Sequence, residues 1–148
     1  DTYVHSPITY KQFRNLVPES QWLHYLGRKN KWPECGWYGL TLRTPGCDAF
    51  LKEFERVYEE ADDGIFKMEE WHDSFVFGQV LKRIRIQYPN IKDFSGHLIN
   101  GNGHPLINCE LGAFFDHLKS EDAKISGRSQ NRELIQPRSE AYWNEEGK

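Results

Sequence analysis

The segment from Thr44 to Tyr58 constrains this chain more than any other. Thr44 stands where a helix N-cap belongs, and Pro45 occupies the first helical position, where a missing N–H leaves no bond unmade. Cys47, Phe50, Leu51, Phe54, Val57 and Tyr58 follow at helical spacing, with Lys52, Glu53, Glu55 and Arg56 on the other side. A helix with one apolar stripe must bury it against a second layer. The same pattern recurs from Asp73, the expected N-cap of a second helix, with Phe75, Val76, Val80, Leu81 and Ile84 as its stripe and Tyr88-Pro89-Asn90 as its stop.

Strand-like segments interleave with these helices. Thr2-Tyr3-Val4 has a β-like reading, and a short helix from Thr9 to Leu16 is expected before Pro18. Gln21 to Leu26 and Cys35 to Leu42 read as strands, separated by a basic, polar loop from Gly27 to Pro33. Asp62-Asp63-Gly64 is expected to close the first amphipathic helix, Ile65 to Met68 to form a short strand, and Ile91 to Ile99 a longer one. Asn100 to Pro105 is composed of turn residues. Asn108 is expected to cap a short helix carrying Leu111, Phe114, Phe115 and Leu118. Strands alternating with helices predict an α/β layered domain over residues 1–119, and the aperiodic stretch 120–148 a polar tail, lying over something or mobile.

A chain of 148 residues suits one domain, and its 14% aromatic content supplies a core despite a 28% share of charged residues. The formal charge of −3 argues against a nucleic-acid partner. No apolar run approaches the roughly 18 residues of a membrane span. Cys35, Cys47 and Cys109 are odd in number and lack paired spacing, so they read as reduced thiols of a cytoplasmic protein. The chain starts at Asp1 without an initiator methionine, which leads us to expect that it begins inside a longer polypeptide.

Several groups could carry chemistry. Asp1, at a strand end, suits a hard oxygen ligand for a divalent cation, although a terminal aspartate is commonly just solvated. Glu34-Cys35-Gly36-Trp37-Tyr38-Gly39 sets a carboxylate before a glycine-bounded aromatic strand, open either to ligand approach or to core packing. Glu69-Glu70-Trp71-His72-Asp73 leads into a helix; Asp73 there serves as cap alone or as cap and ligand contact, with His72 beside it. His104 and His117 flank a glycine-rich loop and a short helix, and Lys119, Lys124, Gly127 and Arg128 follow, a mixture suited to phosphate. The spacing of His97, His104, Cys109 and His117 does not make a closed zinc site. Nucleophile-elbow, Walker and dinucleotide motifs are missing from the sequence.

Glu34 to Leu40, the helix ending Val57-Tyr58, and Glu70-Trp71-His72-Asp73-Ser74-Phe75-Val76-Phe77 together resemble a group of glycosyltransferase-like proteins of the GT-A type, common in marine bacteriophages and some bacteria. Gly103-His104-Pro105-Leu106-Ile107-Asn108, Gly112 and Asp116-His117-Leu118-Lys119 are similar to that group's C-terminal signature. The resemblance covers roughly residues 1–129. It implies the C-terminal portion of a nucleotide-sugar transferase, with the nucleotide-binding strands upstream, and association with that missing part or a larger assembly.

The resemblance also implies roles. Asp1 would end an Asp-x-Asp motif and share a divalent cation, manganese or magnesium, with His117. Lys119 would face the diphosphate, with Lys124, Arg128 and His104 as further substrate contacts. Asp73 and His72 would touch donor or acceptor sugar, and Glu34 and Trp37 would flank the sugar pocket. The partners implied are a nucleotide-sugar donor and a sugar or protein acceptor. After Lys119 this sequence departs from the group: Ser120-Glu121-Asp122-Ala123 intervenes before the next lysine, and two added carboxylates disfavour a diphosphate nearby. A non-catalytic carbohydrate-binding or particle component of the same fold is the alternative.

Overall fold

The computed structural model of the chain describes residues 2–60 and 62–139. Its centre is a three-stranded sheet. Strand β2 (Leu23–Arg28) lies in the middle, antiparallel to β3 (Lys31–Leu40) and parallel to β4 (Ile91–Asp93). β2 is buried on both faces because its alternate residues feed two cores. Leu23 and Tyr25 join Trp22 in one core, whereas Leu26 packs in the other with Val17, Phe94, Leu106, Ile107 and Leu111.

The first core is closed by α2 (Pro45–Glu59) and α3 (Asp73–Ile84). Cys47, Phe50 and Val57 of α2 meet Val76, Phe77, Val80 and Leu81 of α3, as their 3.6-residue spacing predicts. Glu53 ties the helices together at the surface. It accepts from Arg56 on its own helix and from Arg83 on α3, and these guanidiniums, Arg56 foremost, hold its carboxyl down to about 2. Before the sheet, α1 (Tyr10–Leu16) is opened by a reciprocal capping box between Thr9 and Gln12.

A second, two-stranded ribbon pairs β1 (Thr2–Val4) with β5 (Phe115–His117), antiparallel, with Thr2 opposite His117 and Tyr3 opposite Asp116. The chain start is thereby fastened to a segment more than a hundred residues away. The fold is mixed α/β, with helices over one small sheet and a separate ribbon.

Several local expectations are corrected. The stretch expected as a loop from Gly27 to Pro33 is a tight hairpin, with β2 running to Arg28 and β3 starting at Lys31. Ile65–Lys67 is a turn of 3-10 helix, not a strand, since Lys67 and Met68 bond back to Gly64 and Ile65. β4 stops at Asp93, far short of Ile99: the Asp93 carboxylate accepts the N–H groups of Gly27 (2.8 Å) and Ser95 (3.0 Å), bending the chain off the sheet. The helix expected after Asn108 is replaced by two 3-10 turns (Pro105–Asn108 and Glu110–Ala113) and then β5. Asn108 is no cap; its amide donates to the carbonyls of His104 and Glu133 and accepts from Ile135 N–H.

The stretch after Lys119, expected as a polar tail, has structure as far as it is described. Ser120 caps α4 (Glu121–Ser126), and Gly127 ends it at φ 66°, a left-handed conformation suited to glycine. Ser129 and Arg138 then bind the buried Asp116. These anchors are polar and non-periodic, so no amphipathic pattern announces them. Among the described residues, no helix is long and apolar enough to cross a membrane.

Candidate functional site

The register of the ribbon brings together residues that lie far apart in sequence. His117 ends β5, with its ring nitrogen Nδ1 2.9 Å from Glu133 Oε1. A carboxylate can only accept here, so Nδ1 donates and Nε2 is the ring nitrogen left for another partner. His104, at the end of the glycine loop, stacks on this ring. Its own Nδ1 is buried without a hydrogen-bond partner. Burial, then the nearby His117, Arg28 and Lys119, pushes His104 down to about 3, so it stays neutral at physiological pH.

The charges of Arg28 and Lys119 are thus felt at His104. Arg28, at the end of β2, is ion-paired with Glu34 of β3, whose other oxygen accepts Gly36 N–H. Cys35, next along β3, receives a hydrogen bond interaction from Ser74 and feels the charges of both Asp73 and Arg28. Contacts thus form two small groups, Arg28 with Glu34 and His104 with His117 and Glu133, and the Arg28 and Lys119 charges act on the second. Burial raises all three thiols, Cys109 to about 11, so none offers a thiolate nucleophile at neutral pH.

Of the sequence-derived candidates, His104 and His117 are in contact and Glu34 is engaged by Arg28, whereas Asp73 acts on Cys35 and Lys119 on His104 through charge alone. Asp73 is not the N-cap. That position is His72, which has extended backbone and whose Nδ1 accepts Phe75 N–H at 3.2 Å, while the Asp73 carboxylate accepts Ser74 N–H. His72 is further engaged by Glu70 (2.7 Å) and lies 5.0 Å from the Trp32 ring, so the cap and aromatic packing account for it. Trp37 packs edge-on against Phe94 at 5.2 Å, on the second core. Lys124 is ion-paired with Glu121 on its own helix, and Arg128 lies in the turn beyond α4. Asp1 falls outside the described residues; its neighbour Thr2 is the register partner of His117.

Three contributors escaped the sequence reading. Arg28 sat in a segment taken for a loop. Asp116, fully buried beneath the ribbon, could have been suspected from its place in an apolar stretch beside His117. Glu133 had no signal, being one carboxylate in a polar run.

Among the described residues, no group of three or more His, Cys, Asp or Glu side chains is arranged to hold a metal ion. His117 nevertheless has the form of a single ligand: a carboxylate on one ring nitrogen fixes tautomer and orientation and leaves the other nitrogen to bind. A hard cation that keeps waters and substrate phosphates needs only one or two protein ligands. No protein-family model matches the chain, and no curated protein or solved structure matches it.

Proposed function

We propose that the chain is the C-terminal part of a GT-A-like glycosyltransferase domain that moves a sugar from a nucleotide-sugar donor to an acceptor. The observation that carries this reading is the pairing of Thr2 with His117, together with the Glu133 carboxylate on the His117 ring. Thr2, the neighbour of Asp1 in sequence, and an imidazole oriented by a carboxylate belong to one ribbon, which supports a shared cation. His117, with Asp1, would hold a divalent cation, manganese or magnesium, which supplies the charge that neutralises a departing diphosphate.

The remaining roles belong to the chain's own groups. Glu133 fixes the His117 ring. Lys119, exposed at the end of the ribbon, offers an ammonium to phosphate oxygens. His104, neutral and with an unpartnered Nδ1, takes or gives one hydrogen bond to a bound hydroxyl or phosphate. Asp73, exposed at the first turn of α3, would touch donor or acceptor sugar.

Calorimetry of the full chain with a panel of nucleoside diphosphates and manganese tests the reading. Binding that needs the metal and disappears in His117→Ala, with circular dichroism unchanged, is the expected result. A chain that binds none of them, or binds them equally without metal, sinks it. The Lys124–Glu121 ion pair favours a second reading, a carbohydrate-binding protein of the same fold without turnover, because it withdraws one cation from the phosphate grip. That reading gains if sugars bind and diphosphates do not.

A further inference from the structure

Arg28 also belongs to the wall of a separate cleft of about 650 Å³ between the β2–β3 hairpin and α3. The hairpin contributes Arg28, Lys29 and Lys31 to it, α3 contributes Lys82 and Arg85, and Glu69 adds one carboxylate to the same wall. Two of these cations have carboxylates at hand. Glu34 binds Arg28, and Asp93, whose carboxylate also takes Gly27 and Ser95 N–H groups, shares the Tyr25 hydroxyl with Arg85. Lys29, Lys31 and Lys82 pair with no carboxylate among the described residues. On a chain of formal charge −3, three unpaired ammonium groups around one cleft are a local arrangement and not a result of composition.

The other walls describe what kind of anion would fit. Trp32 lines the cleft and is held by Phe75, edge-on at 5.4 Å, and by His72. The Lys31 ammonium rests 4.5 Å from the Trp32 ring centroid, a cation–π contact that holds it beside the aromatic wall. Asn30 and Gln79 add side-chain amides, which pair with hydroxyls as donor and acceptor. Cations for a charge, amides for hydroxyls and an aromatic surface for C–H groups make a site for an acidic sugar.

We infer that this cleft holds the acceptor, and that the acceptor is an acidic saccharide, a sugar chain bearing carboxylate, sulfate or phosphate groups. The charge rests on the cleft itself, and the role as acceptor rests on the transfer reading given above. A nucleic acid strand suits the site less, because the cations are confined to the cleft and the chain as a whole would repel a long polyanion.

The test titrates the full chain with trigalacturonate, maltotriose, inorganic phosphate and a thymidine oligonucleotide. Trigalacturonate is expected to bind at least about tenfold tighter than maltotriose and to weaken as salt is raised. The double substitution Lys31→Gln/Lys82→Gln, at two exposed positions, is expected to weaken it by about tenfold or more and to leave nucleoside diphosphate binding unchanged. Equal affinity for maltotriose, indifference to the double substitution, inorganic phosphate binding as tightly as the sugar, or a preference for the oligonucleotide each overturns the inference. Trigalacturonate failing while diphosphate and manganese still bind removes the inference alone. Diphosphates failing while trigalacturonate binds removes the transfer reading and the acceptor role with it, and leaves an acidic-sugar site.

Discussion

The imidazoles of His104 and His117 lie face to face, with centroids 3.7 Å apart and planes 12° from parallel, and Glu133 holds His117 through its ring nitrogen. Two stacked imidazoles cannot both be charged cheaply, and burial keeps His104 neutral. The difference has a consequence for acid stability. His104 is held at about 3 in the folded chain, chiefly by burial, against 6.5 as the ordinary value. On acidification the unfolded chain takes up this proton first, so stability present above about pH 6.5 is lost progressively down to about pH 3. Urea unfolding at pH 7 and pH 4 should show the native chain losing about 3 kcal/mol more than His104→Gln over that interval. An equal loss in both would mean that His104 is not held neutral.

The pairing of Glu133 with His117 makes a prediction about affinity. Glu133→Gln keeps the shape and a hydrogen-bonding oxygen but removes the charge that orients the ring. Manganese-dependent binding of a nucleoside diphosphate should weaken by about tenfold, the usual scale for a ligand's carboxylate support. His117→Ala should abolish it. Calorimetry with manganese held in excess would separate this from a loss of fold, because an unfolded variant shows no cooperative melt. Unchanged affinity in Glu133→Gln would remove His117 from the metal site.

Legibility followed the physical kind of each contact. The α2 and α3 stripes were readable because Phe50, Val57, Val76 and Val80 repeat at helical spacing, and that repeat is the packing itself. The hairpin from Leu23 to Leu40 was half readable: its apolar parts showed alternation, but the turn between Arg28 and Lys31 is all polar and looked like a loop. The region from Pro105 to Leu118 was misread because Leu106, Ile107 and Leu111 enter one core from two 3-10 turns, which have no repeating signature. Within the site, His104, His117 and Lys119 stood out as residue types near a glycine loop. Arg28 and Glu133 did not, because their importance comes from partners supplied by the fold.

Asp116 offers a test of the chain after α4. Its side chain is fully buried and is met by the Arg138 guanidinium at 2.8 Å and by the Ser129 hydroxyl. Arg138 also donates to the carbonyls of Ile107 and Gly112. Removing the guanidinium with Arg138→Leu leaves the buried Asp116 with the His5 ring, 3.8 Å from its other oxygen, as its nearest basic group, a change expected to cost about 3 to 5 kcal/mol. Adding Asp116→Asn should restore part of it, since the uncompensated charge is then gone. Chemical denaturation of the two variants measures both steps. A loss under about 1 kcal/mol in Arg138→Leu would show that the segment merely rests on the ribbon.

Two glycines should respond oppositely to the same methyl group. Gly46, buried in the first turn of α2, has room for no side chain: a Cβ there would stand 2.6 Å from the Trp22 indole. That indole cannot swing away freely, because its Nε1 donates to the Tyr88 carbonyl at 2.9 Å and its ring packs on Phe50. The helix must therefore shift off the sheet, and Gly46→Ala is expected to destabilise by about 1 to 3 kcal/mol, the range for overpacking a core. Gly39 in β3 would place its Cβ with nothing within 4 Å, and its φ lies outside the left-handed region. Gly39→Ala should change stability by no more than about 0.5 kcal/mol, or raise it slightly by reducing the freedom of the unfolded chain. Thermal melts of both variants suffice to check this. If Gly46→Ala melted like the native chain, the close seating of α2 on Trp22 would be wrong, and with it the packing that holds α3 in the same core.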